Sequence, residues 1–440
     1  MQALARFFQF NERHTNLRTE ILAGLSTFIT MAYILVVNPA ILQKAGMDFG
    51  GVFVATILVS VVGTLIMGLL ANYPIAIAPG MGMNAYFTFV IVLSMGISWQ
   101  SALGSVFLAS LIFLALSLSG FRQALIKAIP NPLKAGMSAG IGLFIAFIGM
   151  QNAHLIVASP ATLVTLGNFT HPIAYMSLLG LLVTLVLMIY NIKAAIFLGM
   201  LITALLSFFL GHIQLPDHLL ELPTHTSTTF FKLDILSAFK PDLSAVIFTF
   251  FLIMLFDTTA TMIGVAKQAN LLENGHFPNA KAALSADALA STLGALVGTS
   301  PTSAYIESGA GVSVGGRTGF TCVVIALLFA CMLFFAPIAK MLASVPAITS
   351  PALIVVGFLM MSHLSAIDWH DLEESLPAFF VLFWIPLSYS ITSGVGAGLI
   401  LYPLIKICRG KFKEVHPLLY VFMILFSLQF VLDALYGAHA

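Results

Sequence analysis

The chain has 440 residues, of which 60% are hydrophobic and only 8% charged, whereas soluble domains carry roughly 25% charge. A water-soluble fold cannot hide that much apolar side chain, so the solvent around most of it is lipid. The net charge of +1 leaves no electrostatic footprint for nucleic acid.

In chain order, Met1 to Glu20 is polar, carries Arg6, Arg13 and Arg18, and runs straight into a full-length apolar span. The first helix therefore reads as a retained anchor, not a cleaved leader. Apolar runs follow near 21–42, 52–71, 75–93, 101–118, 135–152, 172–190 and 194–211. About 20 residues cross a hydrocarbon core of ~30 Å. The runs are continuous rather than alternating, which selects helices over a barrel. The polar stretch 212–242 then precedes runs near 243–265, 283–297, 303–316, 319–343, 350–362, 377–391, 394–408 and 416–435. The last reads either as a further span or as a helix lying in the interface. Cys322, Cys331 and Cys408 sit in or beside these runs without metal-ligand spacing and read as small buried hydrophobes.

Loop cations set orientation. Arg18, the stretch with Arg122, Lys127 and Lys134, Lys193, the loop from Lys267 to Lys281, and Arg317 share one side if each run crosses. That side is cytoplasmic, and the amino terminus lies on it. Lys406, Arg409, Lys411 and Lys413 join it if 377–391 and 394–408 are separate crossings. Asp368, Asp371, Glu373 and Glu374 beside Trp369 suggest an amphipathic helix at headgroup level.

The third segment of each half is irregular. NYPIAIAPGMGMNAYFTF (72–89) and GTSPTSAYIESGAGVSVGG (298–316) place proline and glycine where a span should be regular. Both contain an Ala-Tyr pair. Such segments should be partly extended, and matched interruptions in two halves point to a transporter's central site. Asp257, inside the run 248–265, and Glu307, inside the second broken segment, are carboxylates at membrane depth. That placement is costly unless they face an interior cavity, and it marks both as candidates for carrying a proton. Asn84 can donate and accept at once. Tyr86, Phe87 and Tyr305 offer an aromatic slot for a flat ligand. Thr258, Thr259 and Thr261 suit bonds back to helix carbonyls, and the glycines from Gly309 to Gly316 suit close helix packing. Arg317 reads as a cytoplasmic anchor or as a partner for a gating carboxylate.

TFITMAYILVVNPAIL (27–42), APGMGMNAYFTF (78–89), LFDTTATMIGVAKQAN (255–270) and SPTSAYIESGAGVSVGGRTGF (300–320) closely resemble the AzgA-like adenine/guanine/hypoxanthine permeases, within the nucleobase:cation symporter family. The resemblance covers essentially the whole chain. It implies an all-α membrane protein of about fourteen segments in two inverted seven-helix repeats, the third and tenth broken by short extended strands. A core domain (1–120 and 243–343) would move against a gate domain (121–212 and 344–440), with 213–242 as an external linker. It implies substrate contacts at Asp257, Glu307 and Asn84, with Phe87, Tyr305 and Ile306 as neighbours, and proton coupling through Glu307 and Asp257. No histidine stands near Asp257 as one does in uracil-type relatives, which favours purines.

The expectation is therefore a secondary active symporter importing adenine, guanine or hypoxanthine with protons, by alternating access. Its place is the cytoplasmic (inner) membrane, with no cofactor and no bound metal. Sodium stands as the alternative ion, and dimerisation through gate helices is implied by relatives. Two other readings compete. An anion carrier of similar architecture, of the sulfate or bicarbonate kind, is opposed by two central acids. A membrane-embedded enzyme would need a nucleophile–base pair or metal cluster.

Overall fold

The computed structural model describes residues 2–119, 128–223, 225–272 and 277–436. Arg122 and Lys127, which enter the charge argument, lie outside them. Ten helices among the described residues are long and apolar enough to cross a membrane. The chain divides into two compact units, Met1–Leu118 with Ile148–Val355, and Ser119–Phe147 with Val356–Ala440.

The first unit starts with α1 (Gln2–Phe7) and α2 (Leu17–Met31); the Asn16 side chain caps α2 by accepting from the Thr19 N–H at 2.9 Å. A turn at Ala32–Tyr33 leads into α3 (Ile34–Lys44). Asp48 caps α4 (Phe49–Ile66), which ends in a wider π turn, Met67–Ala71. Asn72 stops that turn in the left-handed region at φ 57° and is held by Phe8 O and the Gly319 N–H. Beyond it Pro74 and Pro79 forbid regular helix, and the chain extends as β1 (Ile77–Pro79) before α5 (Met81–Ala85) and a π-helical stretch, Tyr86–Ser94. Next come α6 (Trp99–Leu118) and α7 (Asn131–Asn152), the latter running across the division between the units.

β2 (Ile156–Ser159) and β3 (Leu163–Leu166) form a hairpin in the stretch between the fifth and sixth apolar runs, too short and irregular a pattern to announce itself in sequence. α8 (Pro172–Ile189) and α9 (Ala195–Phe209) follow, then the one-turn α10 (Ile235–Ala238). α11 (Pro241–Gln268) and α12 (Ala280–Val297) lead to β4 (Thr302–Ala304) and α13 (Ser308–Val314). α14 (Phe320–Cys331), α15 (Ala336–Ala343) and α16 (Pro346–Met360) come next.

β1 and β4 pair antiparallel, Ile77 opposite Ala304, Ala78 opposite Ser303 and Pro79 opposite Thr302. The short half-helices that follow them therefore leave the pair in opposite directions. The pairing answers the problem that extended backbone poses in lipid, where every N–H and C=O needs a partner. Around it, Thr64 Oγ1 donates to Ile77 O and accepts from the Ile77 N–H, both at 3.0 Å. The Ala76 N–H reaches Ser308 Oγ at 3.0 Å, and the Gly80 N–H reaches Pro301 O at 2.9 Å. Close approach of helices secures this centre. A Cβ on Gly319 would lie 1.9 Å from Gly68 O, and one on Gly311 would lie 2.6 Å from Ala23 O.

In the second unit α17 (Leu372–Ser388) and α18 (Ile391–Cys408) pack along one another, and α19 (Pro417–Tyr436) packs on α18 through Phe426 against Gly396. Run 416–435 is thus a full helix. The acidic stretch forms no separate surface helix. Asp371 caps α17 by accepting from the Glu373 N–H at 3.0 Å, and Glu373 and Glu374 occupy the first turn. Buried Lys406 lies 3.0 Å from each of those carboxylates, and Lys411 lies 2.9 Å from Glu373. The cations draw the acids into α17. Among the cysteines only Cys322 is buried; Cys331 and Cys408 are exposed, contrary to expectation. A thiol on an outward face loses nothing where the surroundings are themselves apolar.

Candidate functional site

The site residues gather where the two strands meet. Glu307 lies three residues past the end of β4 and is the N-cap of α13. Its Oε1 accepts from the Tyr33 hydroxyl at 2.6 Å, and its main-chain oxygen accepts from Thr30 Oγ1 at 3.5 Å. Asp257, on α11, lies close enough to act electrostatically on both Glu307 and Tyr305. Both acids are partly exposed. Tyr305 is buried, its hydroxyl donating to Pro79 O at 2.5 Å and its N–H to Ala76 O at 3.0 Å. Its ring is thereby locked against β1, whereas Ile306 beside it is 49% exposed.

Asn84, in α5, is fully buried and donates through Nδ2 to Asn38 Oδ1 at 3.0 Å. Asn38 Oδ1 also accepts from Ser300 Oγ at 3.2 Å, so this amide pair ties the first half-helix to the approach to β4. Asn84 Oδ1 has no hydrogen-bond partner among the described residues. Phe87 is fully buried one turn farther on, and Tyr86 makes an edge contact with Phe250 at 5.0 Å.

Other expectations change. Thr258 does not bond back to its own helix; its hydroxyl donates to Asp287 Oδ2 at 2.6 Å, while Thr259 does donate to Leu255 O. Among the described residues the Arg317 guanidinium meets no carboxylate. It folds onto Val312 O at 2.7 Å and Gly316 O at 2.8 Å, capping α13.

Four residues that sequence reasoning passed over matter here. Tyr33 holds Glu307, and Asn38 holds Asn84. Asp287, fully buried on α12, accepts from Thr258, next to Asp257, and from the Thr302 hydroxyl of β4 at 2.9 Å. Glu20, fully buried on α2, accepts from the backbone of Arg317, Thr318 and Thr321. The signal available was an acid inside an otherwise small-residue or apolar helix, as in LSADALAS (284–291).

Paired strands at the point where two membrane segments break, flanked by partly exposed acids, define a membrane transport protein. The chain belongs to the permease family, whose sequence profile matches residues 18–396. It is 50% identical over 428 residues to the guanine/hypoxanthine permease PbuO of Bacillus subtilis, covering 96% of this chain and 99% of that one. It is 43% identical over 429 residues to the adenine permease AdeP of Escherichia coli, covering 97% and 96%. In fold it is similar to the transmembrane domain of a cyanobacterial bicarbonate transporter, BicA, with a TM-score of 0.64 at 15% identity over 87% of this chain and 97% of that one. Members of such a family move a solute rather than transform it, and the chain is a multi-pass membrane permease, not an enzyme.

Proposed function

We propose that the chain imports purine bases, adenine, guanine and hypoxanthine, together with protons by alternating access. Relatives named for guanine/hypoxanthine and for adenine, each aligned over nearly the full chain, support the substrate class. The observation that carries the mechanism is Glu307, bonded to Tyr33 at the strand junction and within electrostatic reach of Asp257. A purine base is flat and uncharged, with N–H donors on its edges that carboxylates and Asn84 accept. Phe87, Tyr305 and Ile306 supply apolar neighbours. A proton on one of the two acids removes an uncompensated charge and lets the loaded site close, since an unpaired buried charge opposes desolvation. Only a difference in ligand affinity between outward and inward states drives the shift.

The finer architecture belongs to the same reading. It comprises about fourteen segments in two inverted repeats, a core of 1–120 and 243–343 working against a gate of 121–212 and 344–440, and an amino terminus on the cytoplasmic side of the inner membrane. A homodimer through gate helices completes it. A fold shared with a bicarbonate transporter makes an anion the second reading, and the two central acids argue against it.

Labelled adenine, guanine and hypoxanthine uptake into proteoliposomes, under an imposed pH or sodium gradient, tests the proposal. One proton per base gives about tenfold accumulation per pH unit. Asp257→Asn and Glu307→Gln should each insert normally yet lose concentrative uptake. Full accumulation by either variant removes that residue from coupling, accumulation driven by sodium alone replaces the ion, and sulfate competing with hypoxanthine favours the anion reading.

A further inference from the structure

The two amides beside the strand pair are not free to choose which end faces which. The Thr56 hydroxyl, on α4, gives its one hydrogen to Val52 O at 2.7 Å. It can therefore only accept from Asn38, 2.8 Å away, so the Asn38 group on that side is Nδ2. Thr299 Oγ1, 2.9 Å distant, accepts the other Nδ2 hydrogen. Asn38 Oδ1 then faces Ser300 and Asn84, and toward an acceptor Asn84 must present its own Nδ2. The Asn84 carbonyl oxygen is consequently turned away from the network, and it is the end that has no partner among the described residues. Asn38, Thr56, Thr299, Ser300 and Asn84 are all 0% exposed.

We propose that Asn38, oriented by Thr56, is a positioning residue that fixes Asn84 as a hydrogen-bond acceptor, so that Asn84 reads an N–H of the five-membered ring of the purine. This rests on the purine reading above and narrows it. Adenine has a lone pair at N1 and an amino group at C6, where hypoxanthine and guanine have an N–H and a carbonyl. The donor common to all three is the imidazole-ring N–H. A fixed acceptor that serves all three bases faces that edge, while an amide able to turn over would suit either polarity. A buried acceptor facing a C–H in place of its N–H forfeits the bond and stays unsatisfied.

The test uses 7-deazahypoxanthine and 9-deazahypoxanthine as competitors of labelled hypoxanthine uptake by the full-length chain in proteoliposomes. They match in size, and each fixes the ring N–H at one nitrogen, N9 in the first and N7 in the second. The unaltered protein should prefer one of the pair by about tenfold. Thr56→Val keeps the shape but removes the acceptor, lets both amides turn over, and should bring the ratio to about one. Thr56→Ser restores the hydroxyl and the preference, a rescue that loss of packing alone would not give. Equal competition by the two isosteres in the unaltered protein, or a Thr56→Val variant that still discriminates tenfold, overturns the assignment. Failure of hypoxanthine itself to compete, in contrast, overturns the purine reading beneath it.

Discussion

Glu20→Gln is the sharpest test of how the broken segment is held. Glu20 is fully buried and surrounded by donors alone. Oε1 accepts from the Thr15 hydroxyl and the Arg317 N–H, both at 2.9 Å. Oε2 accepts from the Thr318 N–H at 3.4 Å, the Thr321 N–H at 3.2 Å and the Thr321 hydroxyl at 2.5 Å. Glutamine has the same shape but must turn an NH2 toward one of these groups. The milder choice puts it on the Oε1 side, where the Thr15 hydroxyl can rotate to accept and the Arg317 N–H is orphaned. One unsatisfied buried amide costs about 1–3 kcal/mol, and the surviving bonds fall from charge-assisted to neutral strength, about 1 kcal/mol each. Relief from burying a charge offsets part of this, leaving a net loss of about 2–4 kcal/mol. The assay is thermal unfolding of detergent-solubilised protein, with Thr15→Ala, which removes a single bond, as the mild control. Glu20→Gln should lower Tm by several degrees and Thr15→Ala by much less. A Glu20→Gln Tm within a degree of the unaltered protein would refute the argument that these donors require a carboxylate.

Asp287→Asn keeps the side-chain volume but turns one of its two acceptors into a donor, against hydroxyls of Thr258 and Thr302 that approach both oxygens. Loss of a charge-assisted bond worth about 1.5–3 kcal/mol should appear as a lower Tm and, because Thr258 adjoins Asp257, as a fall in maximal uptake rate. Gly319→Ala sets a Cβ 1.9 Å from the Gly68 carbonyl, a backbone atom that cannot step aside, and should largely abolish folded protein in size-exclusion profiles. Gly264→Ala, with nothing within 4 Å of the new Cβ, should leave the profile unchanged.

Much of the centre was legible because its chemistry conflicts with its surroundings. Pro74, Pro79, Pro301 and the adjoining glycines cannot continue a helix in lipid, so extended backbone at β1 and β4 follows from composition alone, as do the carboxylates at Asp257 and Glu307. What sequence did not announce is pairing. Tyr33 and Asn38 lie in TFITMAYILVVNPAIL, where a tyrosine and an asparagine pass for ordinary packing and a kink. Their roles exist only once α2 and α3 meet segments some 50 to 270 residues distant, as the 274-residue separation of Tyr33 and Glu307 illustrates. The hairpin of β2 and β3 escaped for a different reason. Its strands are four residues each and largely exposed, so no buried face imposes a period.

The partners of each acid also sort their roles in a way that acid content alone does not. Glu20 is closed off and ringed by five donors, three of them backbone amides. Asp287 is equally closed off and clasped by two hydroxyls from separate elements, α11 and β4. Both acids fasten separate segments together, Glu20 joining α2 to the start of α14 and Asp287 joining α12 to α11 and β4. Glu307 differs in kind. It is partly exposed, its Oε1 accepts from the Tyr33 hydroxyl, and Asp257 lies within electrostatic reach. The two carboxylates thus differ in their surroundings, Glu20 ringed by five donors and Glu307 met at Oε1 by the Tyr33 hydroxyl.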